Sequence, residues 1–319
     1  MYGNGKIIKH IIPGRAGIIG NPSDGYGGAV LSCGIKNKAT ATIEPAKELI
    51  ITNRFGSRVL KQLADFENQG DYFDHFRTVL RYLKLFDLQV NISVSTSIPE
   101  QAGLAGSTAA LAAVIKAVLA YTGQKSDHFY LAELTRYLEY NYLGIQCGYQ
   151  DAYMAVFGGI NYIEFTGKEH YRELNKEPYA KVEPLGSFVD ELPFIVVHSG
   201  FKHHSGQFHR PLRRRWLEGD RHIVRAYQEI AELAGEGKKA LLAKDWQLMA
   251  NLMKENYHIQ NRLAFSGEQN SYLIRAAESN GALAAKLAGA GEGGSIIVLT
   301  LEPDKTKQAL QETGIARVY

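Results

Sequence analysis

Cysteine is nearly absent: Cys33 and Cys147 are the only two in 319 residues, and they lie far apart. They offer no disulfide framework and no metal-ligand spacing, which fits a reducing cytoplasm. No run approaches the roughly 18 apolar residues of a membrane-spanning helix, so no membrane span is expected. The first residues, MYGNGKIIKHIIPGRAG, lack a long apolar core with a cleavage site, so no signal peptide is expected. Net charge is only +3, which makes no demand for a nucleic-acid partner. Repeats and low-complexity tails are missing. So is G-x-x-x-x-G-K-[ST], which excludes the ordinary P-loop. What is present is the balance of a soluble globular enzyme, 45% hydrophobic and 22% charged residues, with length for two domains or one large one.

Along the chain, KIIKHII (6–12) reads as a strand ended by Pro13-Gly14. AVLSCGI (29–35) and KATATIEP (38–45) read as two more, and ELIITN (48–53) pairs with them in a hairpin-rich sheet. Helical spacing covers 57–69 and 72–86. LQVNISVST (88–96) alternates as a strand. Helices are expected at 105–122, 127–143 and 149–157, then a strand at 158–165 and a central one at 192–200. Residues 205–279 are helical in period, with breaks at Gly219, Gly235–Gly237 and Gly267. Strands return around a glycine turn in 284–301, followed by a helix at 303–313 and a strand at 315–319. The polar stretch 166–191 marks a boundary. Strands are grouped rather than alternating with helices, so the class is α+β.

Four stretches carry candidate chemistry. In IPEQAGLAGSTAAL, the run GLAGSTAA flows into an alanine-rich helix. It is either a tight start to a packed helix or a phosphate cradle, because the first N–H groups of a helix point outward unpaired and small residues leave them open. Ser107 and Thr108 add hydroxyls, one of which could serve Mg²⁺ as a hard oxygen donor. In EYNYLGIQCGYQDAYMAVFGG, Asp151 follows a glycine turn and opens a helix, as an N-cap or as a functional carboxylate. Glu139 lies on the helix before it. PGRAGIIGNPSDGYGG (13–28) packs six glycines and two prolines into sixteen residues and reads as a loop. Its Arg15, Asn21, Ser23, Asp24 and Tyr26 suit sugar hydroxyls or a surface turn. GAGEGG (289–294) has the letters of a dinucleotide fingerprint but opens a strand, so a nicotinamide or flavin site is not expected.

Taken together, these stretches resemble the GHMP kinases, the superfamily of galactokinase, homoserine kinase and mevalonate kinase. PGRAGIIG, IPEQAGLAGSTAAL, CGYQD and KLAGAGEGG stand in the family's order, from about residue 6 to residue 300. GNPSDGYGG, AGLAGSTA and LRRRWLEGD are similar to the glucuronokinase branch, with heptose-phosphate and fucose kinases as neighbours. Galactokinases carry G-E-H-x-D-Y where this chain has GNPSDGY, so Asn21 and Pro22 stand for a Glu and a His. The resemblance implies an N-terminal β/α domain like ribosomal protein S5 (1–185) and a C-terminal α/β sandwich of ferredoxin-like type (186–319). It implies phosphorylation of a sugar by ATP with Mg²⁺, on the anomeric hydroxyl of a uronic acid such as glucuronate. A heptose-phosphate, fucose-type or mevalonate-type acid kinase is the alternative. The implied form is a cytoplasmic monomer or homodimer.

It also implies roles. Gly103, Leu104, Ala105, Gly106, Ser107 and Thr108 wrap the ATP phosphates. Ser107 and Glu139 hold Mg²⁺. Asp151 is the catalytic carboxylate, with Arg15 holding it and the transferring phosphate. Asn21, Asp24, Tyr26, Gly148 and Gly291 lie at the sugar, with Gly289 and Gly293 in the same supporting turn.

The segment HSGFKHHSGQFHRPLRRRW (198–216) matches no zinc spacing and no nucleic-acid motif. Its arginines, Arg214 among them, either grip a substrate anion or form a solvated basic face.

Overall fold

The computed structural model describes residues 6–168, 178–189, 191–200, 206–264, 267–289, 294–314 and 317–318, the side chains of 206–209 excepted. Strand β1 (Ile8–Ile19) runs antiparallel to β2 (Ala29–Pro45). Then come β3 (Ile50–Asn53), β4 (Gly56–Val59), α1 (Asp74–Tyr82), β5 (Val90–Thr96), α2 (Gly106–Tyr121), α3 (His128–Asn141), α4 (Gln150–Phe157), β6 (Ile160–Glu164) and β7 (Lys181–Pro184). Among the described residues these strands form one seven-stranded sheet, ordered β4-β3-β5-β2-β6-β7, with β1 on β2. The second half holds β8 (Phe194–His198), α5 (Gly206–Leu217), α6 (Arg221–Leu242), α7 (Trp246–Leu263), α8 (Glu268–Ser279), β9 (Ala284–Leu287), β10 (Ser295–Leu299), α9 (Pro303–Glu312) and β11 (Arg317–Val318). Its four described strands form a separate antiparallel sheet, β11-β8-β10-β9, so β8 is interior as its apolar run suggests.

Helix α2 is buried almost all round, with Ala109, Leu111, Ala112, Ala113, Val114 and Ile115 inaccessible, and it packs on β1 and β2. Its alanines let it approach the sheet closely. Helix α6 belongs to the second half by sequence but lies against β2. The main core is therefore continuous across both sheets, from Ile18 and Val30 to Ala234, Met253 and Ile297.

Several expectations are corrected. Strand β1 does not end at Pro13-Gly14; it continues to Ile19 with an irregularity between Pro13 and Arg15. A proline without an N–H is tolerated because β1 pairs with β2 alone. Residues 13–19 are thus strand, and the turn begins at Gly20. The two short strands expected over 29–45 are one, paired with β6 at its start and β5 at its end. Residues 57–69 are not a helix: they hold the end of the β3–β4 hairpin and a 3-10 turn, Leu63–Phe66. Leu60 and Phe66 are buried there but Val59 and Leu63 are exposed, so the residues at helical spacing do not share one buried face. Helix α6 passes through Gly235–Gly237 and ends at Leu242. A β-carbon on Gly237 would press on the Ile19 side chain, so that glycine marks a close approach to β1 rather than a break.

Candidate active site

Arg15, inward on β1, is the junction of the site. Its Nε and Nη2 both donate to Oδ1 of Asp151, at 2.8 and 2.5 Å. Its Nη1 donates to the carbonyls of Gly103 (2.6 Å) and Ala288 (3.0 Å). Its backbone N–H donates to Leu104 O at 3.1 Å. One buried guanidinium therefore ties the glycine loop, the end of β9 and the head of α4 together. Four of its five N–H groups are used, which leaves one for any anion.

Asp151 stands in the first turn of α4, where a carboxylate is favoured by the helix dipole. Oδ2 of Asp151 accepts no hydrogen bond among the described residues, and the side chain is 31% exposed. The cap of α4 comes from elsewhere: Oδ2 of Asp24 accepts the N–H groups of Tyr149 (2.7 Å) and Gln150 (2.8 Å). Asp24 is buried, and burial pushes its carboxyl up against the pull of the Gln150 hydrogen bond.

The glycine loop leads into α2 through Ala105, a left-handed residue (φ 59°), and α2 has no side-chain cap. Its two hydroxyls diverge. Thr108 turns inward, and its Oγ1 lies 2.9 and 3.0 Å from the two oxygens of Glu139. Ser107 is exposed and bonds Nε2 of His75, on α1, at 2.9 Å. The expected pairing of Ser107 with Glu139 is thus corrected to Thr108 with Glu139. Helical rotation decides it, because successive residues differ by about 100° and only one of two neighbours can face α3. Glu139 is buried, and that burial, with the charge of Asp151, pushes its carboxyl up to about 7. The Cys147 thiol bonds Glu139 too, and burial holds it well above the ordinary thiol value.

Other expected contacts move. Both ends of the Asn21 amide are occupied: Nδ2 donates to Gly289 O at 2.6 Å, and Oδ1 accepts from Nζ of Lys286 at 2.8 Å. Asn21 therefore locks the 20–28 turn onto β9 and is not presented to a ligand. Burial lowers Lys286 far below an ordinary lysine. Tyr26 stacks on Tyr227 of α6 at 3.7 Å between ring centroids, so its ring serves packing. Arg214 points to solvent and pairs with Glu218, four residues on. Its neighbour Arg213 is the buried one, with Nη1 donating to Gly25 O at 2.7 Å and the guanidinium over the Tyr26 and Trp216 rings. Gly291 and Gly293 lie outside the described residues, as do Lys202, His203, His204 and the side chain of His209.

A cleft of about 660 Å³ opens beside the start of α2. Its lining includes Gly106, Ser107 and His75, together with Phe55 and Tyr72, whose rings stack at 4.3 Å. Sequence spacing gave no signal for His75 or Lys286, because each acts through a partner distant in the chain.

A start of a helix open to an anion, a buried carboxylate with a hydroxyl, and an arginine-held aspartate form a phosphoryl-transfer arrangement. Family models agree with it: "GHMP kinases N terminal domain" matches residues 74–159 and "GHMP kinases C terminal" matches 238–316. Glucuronokinase 1 of Arabidopsis thaliana is 30% identical over 331 aligned positions, covering 96% of this chain and 88% of that protein. The chain belongs to the GHMP kinases. D-glycero-alpha-D-manno-heptose 7-phosphate kinase of Campylobacter jejuni is 24% identical, over 91% of this chain and 88% of its own. The two-domain GHMP kinase fold also recurs in Lactococcus lactis galactokinase complexed with galactose, at TM-score 0.82 and 17% identity, covering 98% of this chain and 92% of that one. The chain is a kinase, and no described helix is long and apolar enough to cross a membrane.

Proposed function

We propose that this GHMP kinase phosphorylates a sugar with ATP, at the anomeric hydroxyl of a uronic acid such as glucuronate, giving a sugar 1-phosphate. The observation that carries the reading is the Arg15–Asp151 pair, set between the open start of α2 and the turn carrying Asp24. The 30% identity to a glucuronokinase over nearly the full length supports the acidic sugar.

In this reading the N–H groups of Gly106, Ser107 and Thr108 cradle the nucleotide phosphates, and the adenosine occupies the cleft at the Phe55–Tyr72 pair. The acceptor oxygen forms its bond to the γ-phosphorus as the bond to ADP breaks. Its proton goes to Oδ2 of Asp151, while Arg15 holds Oδ1 and keeps the carboxylate aimed. The remaining N–H of Arg15 is available to the transferring group. Mg²⁺ fits the residues present: the paired groups are oxygen donors, Glu139 is buried beside the charge of Asp151, which holds its carboxyl up, and Mg²⁺ bound to phosphates needs only one or two protein ligands. When bound, it would be held by Thr108 and Glu139 and would neutralise charge on the phosphates. The domain boundary is proposed at 185/186, between β7 of the first sheet and β8 of the second.

The test is a Mg²⁺·ATP screen over glucuronate, galacturonate, glucose, galactose, fucose, a heptose phosphate and mevalonate, with the product identified by phosphorus NMR. A preference for glucuronate with an anomeric phosphate is expected. A preference for a neutral sugar, a phosphorylated heptose or mevalonate would replace the uronate reading.

A further inference from the structure

His75 is outside every motif that marks the family in this chain, yet it is the described side chain that meets the Ser107 hydroxyl, 32 residues on. It is firmly held. It sits in the first turn of α1, and that turn is pinned from both sides. The Asp74 carboxylate accepts the N–H groups of Gln69 (2.9 Å) and Gly70 (2.7 Å). The buried Arg77 grips Asp71 at 2.5 Å and Asp74 at 2.7 Å. The ring therefore reaches Ser107 from a rigid base rather than from a loose loop. Burial favours its neutral form.

A neutral imidazole carries one proton, on either nitrogen. If Nε2 were the acceptor, the Ser107 proton would be spent on the ring and its lone pairs would face an incoming anion. If Nε2 carries the proton, it donates to Ser107 Oγ, and the hydroxyl proton turns outward, alongside the unpaired N–H groups of α2. An anion at the start of α2 selects the second arrangement, and each bond in such a chain strengthens the next.

Resting on the kinase reading above, we propose that His75 is a positioning residue of the nucleotide site, donating to Ser107 so that the Ser107 hydroxyl donates to a bound phosphate. The role is specific to the phosphate end of the nucleotide and leaves the base and ribose alone.

The test is calorimetric titration of the full-length protein, without sugar, with Mg²⁺·ATP and separately with adenosine. His75→Leu is expected to weaken Mg²⁺·ATP about tenfold, the cost of one hydrogen bond to a charged group, and to leave adenosine within about twofold. His75→Gln keeps an N–H donor and should recover most of the loss. Ser107→Ala and Ser107→Ala/His75→Leu should bind Mg²⁺·ATP equally weakly, because the ring acts only through the hydroxyl. Unchanged Mg²⁺·ATP binding in His75→Leu overturns the proposal. So does an equal loss of adenosine and ATP, which would make His75 a wall of the cleft, or additive losses in the double variant. If the wild-type protein itself binds no Mg²⁺·ATP, the kinase reading fails first, and is recognised by that result alone.

Discussion

The Asp24 carboxylate lies against the α-carbon of Gly148, in the space that a β-carbon there would fill. From that seat its Oδ2 caps α4 across 125 residues of chain and fixes the turn on which Asp151 stands. Gly148 and Asp24, both expected at the sugar, are thus first a lock and its socket.

Gly148→Ala should unseat Asp24 and release the head of α4. We expect a loss of stability of about 1–3 kcal/mol, in the range of a lost charged cap, together with a fall in kcat of at least about tenfold. Thermal unfolding and steady-state kinetics on one preparation check both. Wild-type stability with wild-type turnover would show that the turn holds without the cap.

Asp151→Asn keeps the shape of the carboxylate and removes its basicity. Turnover should fall by about 10²–10⁴-fold while Mg²⁺·ATP affinity changes little. Turnover like that of the wild type would remove the base from Asp151.

Thr108→Val and Ser107→Ala should separate the two hydroxyls. Thr108→Val is expected to raise the Mg²⁺ concentration needed for half-maximal rate by about tenfold, whereas Ser107→Ala should act on the KM for ATP. The opposite pattern would return the metal to Ser107.

The buried Glu139 predicts a pH dependence of folding in the absence of metal. Its carboxyl is pushed up to about 7 from the ordinary 4.5, so the folded chain keeps that proton where the unfolded chain has lost it. Stability therefore falls as pH rises from about 4.5 to about 7, by up to about 3 kcal/mol, and this contribution is flat above. In EDTA, Glu139→Gln should raise the melting temperature at pH 8 and leave it unchanged near pH 4.5. An equal effect at both values would mean that Glu139 ionises normally.

Arg214→Ala should be close to neutral, because exposed i,i+4 ion pairs contribute only tenths of a kcal/mol. Arg213→Ala should destabilise the protein and raise the sugar KM, since it removes the buried donor to Gly25 beside Asp24. Equal effects of the two would sink the distinction.

Local pattern was enough for the elements with one strong period. The alanine-rich α2, the amphipathic α3 and α9, and the apolar β8 stand where their residues put them, because each buries a face that its own sequence defines. The short glycine-containing motifs, in their order, were enough to read the family, and two of the residues they single out, Arg15 and Asp151, meet in the structure. Tertiary contacts decided the rest. Strand β1 continues through Pro13 because only one neighbour needs its N–H groups, and α6 continues through Gly237 because Ile19 fills the space. Which of two adjacent hydroxyls meets Glu139, and which of two adjacent arginines is buried, depends on the rotation of a helix against a partner that lies far away in the chain. A sequence names the residue types available to a site; the packing of α2 on α3 and of α5 on the 20–28 turn chooses among them.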